Sequence, residues 1–307
     1  MEKNIAVVLT TFNGEKYISE QIDSILRQKN VALEIIAYDD GSSDKSFSIL
    51  ESYKSNHDNI QAYKNEKPTG YAALNFIQAL VGLRDKLSPN IKYIALSDQD
   101  DLWDDAKLEN AIKGLKQNDA ELYVSNLIWW EEATGIKSLL KRDFVQKKYD
   151  YLFESASAGC TYVFSIALLD LLIGELKNRN FENWGFLSHD WLIYFLARKN
   201  NQKVFFDSNP YILYRIHESN VHGGLNGNSI SAIRSRLEVL KRGWFSENIK
   251  GFTQFIETGS PEMKVYNLFN KGYFGRIAVC LKYNFSLIKS KRKFIKFFSI
   301  QLISFKS

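Results

Sequence analysis

Short apolar runs alternate with stretches of helical period through the first hundred residues, which predicts strands separated by helices. Ile5–Leu9 reads as a buried strand and Thr10–Glu15 as the turn after it. From Tyr17 to Gln28, the residues Ile18, Ile22, Ile25 and Leu26 share one helical face. Leu33–Tyr38 is a second strand, Ser43-Asp44 lead into a helix near Lys45–Lys54, and Ile60–Tyr63 is a short third strand. Gly70 precedes a helix whose apolar positions include Leu74, Ile77, Leu80 and Val81. Ile91–Leu96, broken only by Lys92, is a fourth strand. Strands connected by helices imply a mostly parallel α/β sheet with right-handed crossovers, and ligands in such sheets bind at the carboxyl ends of the strands.

Beyond Trp103 the pattern gives a helix around Lys107–Lys116, a strand at Leu122–Ser125 and a less regular polar region. Ser155–Phe164 is a small-residue stretch that runs into apolar residues. Asn183–His189 reads as a loop and Asp190–Ala197 as a helix with Trp191, Leu192, Phe195 and Leu196 buried. Val204–Asp207 and Tyr211–Ile216 read as two short strands. His222–Ser229 is the clearest linker, and the chain beyond it reads as mainly helical. The division expected is a domain over 1–225 and a C-terminal extension over 226–307.

Composition narrows the class. A chain of 307 residues that is 45% hydrophobic suits a globular enzyme. Its two cysteines, Cys160 and Cys280, lack CxxC spacing, so a disulfide framework or cysteine zinc site is not expected and a reducing compartment is. No signal peptide is read at the N-terminus, and the apolar stretch from Tyr162 to Leu176 is too short to span a bilayer. The net charge of +5 is unevenly placed: Met263–Ser307 holds ten Lys/Arg and no Asp/Glu, whereas the first 262 residues carry 30 basic and 35 acidic side chains. Such a tail, alternating apolar and basic groups over Ile277–Leu287 and Phe294–Phe305, suits either an interfacial helix on an anionic membrane or a pair of helices packed on the core or another subunit. No readout motif for nucleic acid accompanies the charge.

The chemistry concentrates where strands end. Asp98-Gln99-Asp100-Asp101 follows the fourth strand; one Asp could cap a helix beginning near Trp103, but three exceed that need, and hard oxygen ligands suit Mg²⁺ or Mn²⁺ bridging a diphosphate. Asp39-Asp40-Gly41-Ser42 is either an ordinary turn or a site where a carboxylate accepts N3–H of uracil or thymine. Thr10-Thr11-Phe12-Asn13 is either a polar strand-to-helix turn or a surface on which a base stacks. Asp190, after His189, is a helix N-terminal carboxylate or a general base. His217 is structural, or it completes a carboxylate–imidazole site suited to Mn²⁺. Arg215 and His222 are candidate diphosphate partners.

The order TTFNGE, YDDGSSD, Gly70 to Asn75, LSDQDDLW, SHDW and YRIHESNVHG resembles inverting glycosyltransferases of family 2, over roughly residues 4–225. Within that family it looks most like the bacterial rhamnosyltransferase-type branch that builds capsule, O-antigen or cell-wall polysaccharide. The resemblance implies a GT-A fold: a Rossmann-like, mostly parallel central sheet flanked by helices, here with a C-terminal helical extension. It also implies site roles. Thr10, Phe12 and Asn13 would line the base pocket, Asp40 would contact the pyrimidine, and Asp98 would lie near the ribose. Asp100 and His217 would hold the metal, Gly159 would belong to the loop that approaches donor and acceptor, and Asp190 would be the catalytic base. The donor would be a dTDP- or UDP-sugar, with dTDP-rhamnose the first expectation. The acceptor would be a saccharide, polyprenyl-diphosphate-linked, met at the cytoplasmic face of the bacterial membrane by a peripheral protein that could be a homo-oligomer. Relatives often carry Lys or Arg just before the Asn-Phe pair, where this chain has Leu74 before Asn75-Phe76. Two rivals stand beside this reading. A sugar nucleotidyltransferase would need a Gly-rich basic loop where this chain has Thr-Phe-Asn-Gly-Glu. The other rival is a catalytically silent nucleotide-sugar-binding or scaffold subunit.

Overall fold

A computed structural model of the chain describes residues 4–181, 184–217 and 243–303. It divides into two units, one made of Met1–Asp143, Ala156–Asn178 and Leu196–Ile216, the other of Phe144–Ser155, Arg179–Phe195 and His217–Ser307. The boundary expected at 225/226 lies outside the described residues.

The first unit is built on one sheet. Strand β1 (Asn4–Thr11) is buried at all eight positions and lies between β2 (Ala32–Asp39) and β4 (Tyr93–Ser97), parallel to both, with β3 (Ile60–Lys64) parallel beyond β2. A strand flanked by neighbours and covered on both faces needs a continuous apolar run, which is why Ile5–Leu9 carries no alternation. Helices α1 (Ile18–Leu26), α2 (Ser46–Asn56) and α3 (Ala72–Val81) make the crossovers. Ile18, Ile22 and Ile25 are fully buried in one core cluster with Val7, Leu9 and Ile35, as their spacing on one helical face predicts. In α3 the buried face runs through Phe76, Ile77 and Leu80, and Leu74 and Val81 stand half-exposed at its margin.

The whole sheet runs β3-β2-β1-β4-β8 (Val163–Ser165)-β6 (Leu122–Glu131)-β9 (Val204–Ile216)-β5 (Leu102–Trp103), with β7 (Lys137–Leu140) beside β6, and its second half is mixed. Three sequence expectations change here. No helix starts near Trp103: Leu102–Trp103 forms strand β5, antiparallel to Leu213 and Ile212, and α4 begins only at Lys107 and ends at Asn118. Strand β6 does not stop at Ser125 but continues from Leu122 to Glu131, because β7 (Lys137–Leu140) folds back along Leu127–Trp130. Val204–Asp207 and Tyr211–Ile216 are one strand, β9 (Val204–Ile216), parallel to β6. The register jumps where Ser125 pairs Asp207 and Asn126 pairs Pro210. Proline offers no N–H to the ladder, so the chain bulges, and the Asn126 amide fills the gap by donating to the Ser208 carbonyl at 2.8 Å. Strand β8 (Val163–Ser165) and helix α5 (Ile166–Leu176) together take up the apolar stretch from Tyr162.

The second unit includes the N-terminal part of α6 (His189–Lys199) and the helices α7 (Trp244–Thr253), α8 (Pro261–Phe269), α9 (Tyr273–Tyr283) and α10 (Lys291–Ile303). Its core is aromatic. Phe153 meets the rings of Tyr266, Phe269 and Phe297, and Phe195 stacks on Phe252 at 4.4 Å. Among the described residues no helix is long and apolar enough to cross a membrane.

Candidate active site

At the carboxyl ends of β1 and β2 the two following turns are stitched together. Asn13 sits at φ 48°, a left-handed conformation that asparagine tolerates, and its side-chain oxygen accepts from the Ser43 backbone N–H at 2.9 Å. In return the Ser42 and Ser46 hydroxyls accept the backbone N–H groups of Asn13 and Gly14, at 2.9 and 2.7 Å. Thr10 is buried at the end of β1, whereas the Phe12 side chain is 54% exposed, an aromatic face open to solvent.

The two aspartates after β2 have separate tasks. One oxygen of Asp39 accepts from the N–H groups of Gly41 and Ser42, shaping its own turn. Asp40 accepts four hydrogen bonds, from the Asn65 amide, the Thr69 N–H and hydroxyl, and the Gly70 N–H, at 2.7 to 3.1 Å. It therefore holds the segment over 65–70 beside the β2 end. Asn75 is buried behind that segment, donating to the Tyr38 carbonyl at 3.4 Å and accepting from Asn65.

Gln99 ties the acidic turn to β1. Its oxygen accepts from the Thr11 hydroxyl at 2.6 Å and the Phe12 N–H at 2.8 Å, and its amide donates to the Phe12 carbonyl. Gly14 leaves room for it: a Cβ there would lie 2.4 Å from the Gln99 oxygen and would displace the clamp. No sequence signal marks this clamp, because glutamine is an ordinary turn residue and its partners lie nearly ninety positions away.

Asp98 and Asp100 are half-buried in this turn and Asp101 is fully buried. The β4–β8 pairing brings the buried turn Gly159–Thr161 alongside, so that ligand atoms of Asp98, Asp101 and Cys160 lie within 4.8 Å of one another. Gly159, expected in a donor loop, thus starts the turn that delivers Cys160. Burial, and then the charges of Asp100 and Asp98, push the Asp101 carboxyl well above the usual carboxylate range. Burial also raises the Cys160 thiol, reinforced by Asp101. One Asp101 oxygen accepts the Arg215 N–H at 3.2 Å; the other accepts from no N–H or O–H among the described residues. Clustered acids around an unsatisfied buried oxygen fit a divalent cation.

Lys107 and Arg215 stand behind the turn. The Lys107 ammonium is buried, has no hydrogen-bond partner among the described residues and lies 3.4 Å from the centre of the Trp103 ring. Burial lowers its pKa from 10.5 to about 7, against the opposing pull of Cys160 and Asp101. Between those two values the unfolded chain keeps a proton that the folded chain has lost, so stability rises with pH in that window, by up to about 1.4 kcal/mol per pH unit. Lys107→Met is expected to remove this rise. Urea denaturation across the window compares the two proteins, and equal slopes would refute the assignment.

Arg215 does not offer its guanidinium to a diphosphate. It binds Glu20 and Glu132, donates from Nε to the Asp100 carbonyl at 2.9 Å, and lies between the rings of Tyr17 and Trp130, each 4.6 Å away. Glu132 also accepts from the Tyr17 hydroxyl, which with Arg215 holds its carboxyl below the usual range. His222 lies outside the described residues.

In the second unit, Asp190 opens α6 half-buried, accepting from the Ser188 hydroxyl and from the Trp191 N–H at 2.7 Å. Trp191 is fixed by its own indole N–H, donated to the Tyr151 carbonyl, and by stacking on Trp244. His217 follows β9 directly and is half-buried.

Comparison with known proteins places these features in a family. The family described as glycosyl transferase family 2 matches residues 6–169. The dTDP-rhamnosyl transferase RfbG of Shigella flexneri is 33% identical over 277 residues, covering 90% of this chain and 92% of that protein. A GalNAc(5)-diNAcBac-PP-undecaprenol beta-1,3-glucosyltransferase of Campylobacter jejuni is 26% identical, covering 77% of this chain and 73% of its own. Among solved structures, S. aureus TarS 1–349 in complex with UDP-GlcNAc superposes with a TM-score of 0.56 at 17% identity, over 99% of this chain and 89% of that one. That likeness speaks for the fold alone.

Proposed function

From the premise that the chain belongs to glycosyl transferase family 2, and is a glycosyltransferase, we propose that it moves rhamnose from dTDP-rhamnose to a hydroxyl of a lipid-linked saccharide. The product is a bacterial surface polysaccharide, and the enzyme works at the cytoplasmic face of the membrane. The donor assignment is supported by the similarity to RfbG over nearly the full length of both chains. The lipid-linked acceptor is supported by the undecaprenol-linked substrate named for the Campylobacter relative.

The observation that carries the transferase chemistry is the acidic turn at the carboxyl end of β4, clamped by Gln99 to the turn after β1. Asp100 would hold Mn²⁺ or Mg²⁺, with Asp98 nearer the ribose of the donor and Asp101 buried behind them; His217 is assigned to the cation on its motif. A bound divalent cation supplies neutralisation of the charge that grows on a departing diphosphate. Phe12 offers its exposed ring to the base, beside Thr10 and Asn13; Asp40 is assigned to the pyrimidine on its motif, with its carboxylate engaged by Asn65, Thr69 and Gly70 at the edge of that pocket. Gly159 is assigned on its motif to the loop that approaches donor and acceptor. Asp190 takes the proton of the acceptor hydroxyl; the oxygen's lone pair forms the bond to the anomeric carbon as the bond to the diphosphate breaks, so configuration inverts.

The test is release of nucleoside diphosphate from a panel of dTDP- and UDP-sugars, with Mn²⁺, Mg²⁺ or EDTA, for wild type and Asp100→Ala. Release from dTDP-rhamnose that needs metal and is lost in the variant supports the proposal. Release from a different sugar replaces the donor assignment. Binding of a donor without turnover, even with lipid-linked acceptors present, would make the chain a silent sugar-nucleotide-binding subunit.

A further inference from the structure

We infer that the outer faces of α9 and α10 form a docking surface for an anionic lipid bilayer. The inference deepens the reading of a lipid-linked acceptor, by naming the residues that would bring the enzyme to it. The two helices run antiparallel: the Tyr273 hydroxyl donates to the Leu302 carbonyl at 3.2 Å, and the rings of Phe285 and Phe294 meet at 4.9 Å. Each has an inner face that is used. Val279 and Cys280 of α9 and Phe294, Phe297 and Gln301 of α10 are buried, with Phe297 against Phe153 and Phe245.

The outer faces carry what a soluble surface normally avoids. Phe274 is 82% and Leu281 66% exposed, two helical turns apart on α9; Ile295 is 59% and Leu302 42% exposed, with the same spacing on α10. Phe285, in the connection, is 40% exposed. Half of the ten large hydrophobic side chains exposed among the described residues thus fall within one helix pair, which marks an interaction site.

Charge decides what kind. Exposed Lys271, Lys282, Lys291, Arg292 and Lys296 lie among these apolar residues, and Met263–Ser307 contains no acid. The tail's cations are sorted by position. Lys289 is buried, donating to the Ser155 carbonyl at 2.7 Å and facing Glu154 at 3.6 Å, and Lys293 pairs with the same Glu154 at 3.5 Å. The cations on the outer faces have no acid of the tail beside them. Two copies of this face would set cation against cation, which disfavours a homodimer through it. A bilayer accepts both components: the apolar side chains enter the acyl boundary and Lys/Arg reach lipid phosphates.

Co-sedimentation of the full chain with phosphatidylcholine vesicles, with or without about one third phosphatidylglycerol, tests this at low and high salt. Expected is binding at least roughly tenfold tighter to the anionic vesicles, weakened by salt. The apolar variant Phe274→Ser, Leu281→Ser, Ile295→Ser, Leu302→Ser and the charge variant Lys282→Gln, Lys291→Gln, Arg292→Gln, Lys296→Gln should each lose at least roughly tenfold while keeping the wild-type melting temperature. Equal affinity for both vesicle types, or variants that bind like wild type, overturns the inference. So does a concentration-dependent dimer that the apolar variant abolishes, which assigns the face to a second copy. Turnover of donor with a water-soluble acceptor is measured alongside, so failure of catalysis and failure of membrane binding are read separately.

Discussion

Asp190→Asn is expected to lower kcat for sugar transfer by about three orders of magnitude while leaving donor affinity within about twofold. The substitution is nearly isosteric. The asparagine oxygen can still accept from the Ser188 hydroxyl and the Trp191 N–H, so the start of α6 and the Trp191 packing should survive. What is lost is a group that can take a proton from the acceptor. Donor binding by calorimetry and single-turnover transfer separate the two effects. A variant that transfers sugar within about tenfold of wild type removes Asp190 from the chemistry and leaves it a structural helix-start residue.

Arg215→Met is expected to cost about 3 kcal/mol of stability and to raise the KM for donor. The guanidinium is almost fully buried, with its side chain 3% exposed, and it binds Glu20 and Glu132. Removing one member of a buried pair leaves uncompensated charge, a loss of about 3–5 kcal/mol where both partners are buried. Glu20 is 59% and Glu132 30% exposed, so water can take over part of their solvation and the lower end applies. The KM effect follows from loss of the Nε bond to the Asp100 carbonyl, which anchors the acidic turn from behind. Arg215→Lys should recover little, since an ammonium cannot reproduce the planar fork or the stacking between Tyr17 and Trp130. Urea unfolding and donor kinetics of both variants check this. A loss below about 1 kcal/mol would mean that the ion pairs are dispensable surface contacts.

Much of the first unit could be read from the chain because its signals are local. A strand buried on both faces must be an unbroken apolar run, as at Ile5–Leu9, and a crossover helix must keep a period near 3.6, as at Ile18, Ile22 and Ile25. The motif order from TTFNGE to LSDQDDLW carries the family resemblance in the sequence alone, and the family matches over residues 6–169. Strand continuation was less visible. Leu102–Trp103 are two residues that only β9 makes into a strand, and β9 itself looked like two strands because Pro210 interrupts its ladder.

The chemistry behind the turn was decided by tertiary structure alone. Arg215 meets Glu20 across 195 positions, Gln99 reaches Thr11 across 88, and Cys160 comes to Asp101 only because β8 pairs antiparallel with β4. Lys107, at the start of α4, carries a buried amine over the Trp103 ring, a placement that no local pattern marks. The tail's composition announced a basic, apolar segment, but which of its cations face Glu154 and which face outward depended on how α9 and α10 pack. Hydrophobic periodicity is set by each residue's near neighbours and survives in one dimension; the partner of a charge is set by the fold's long-range pairings and does not.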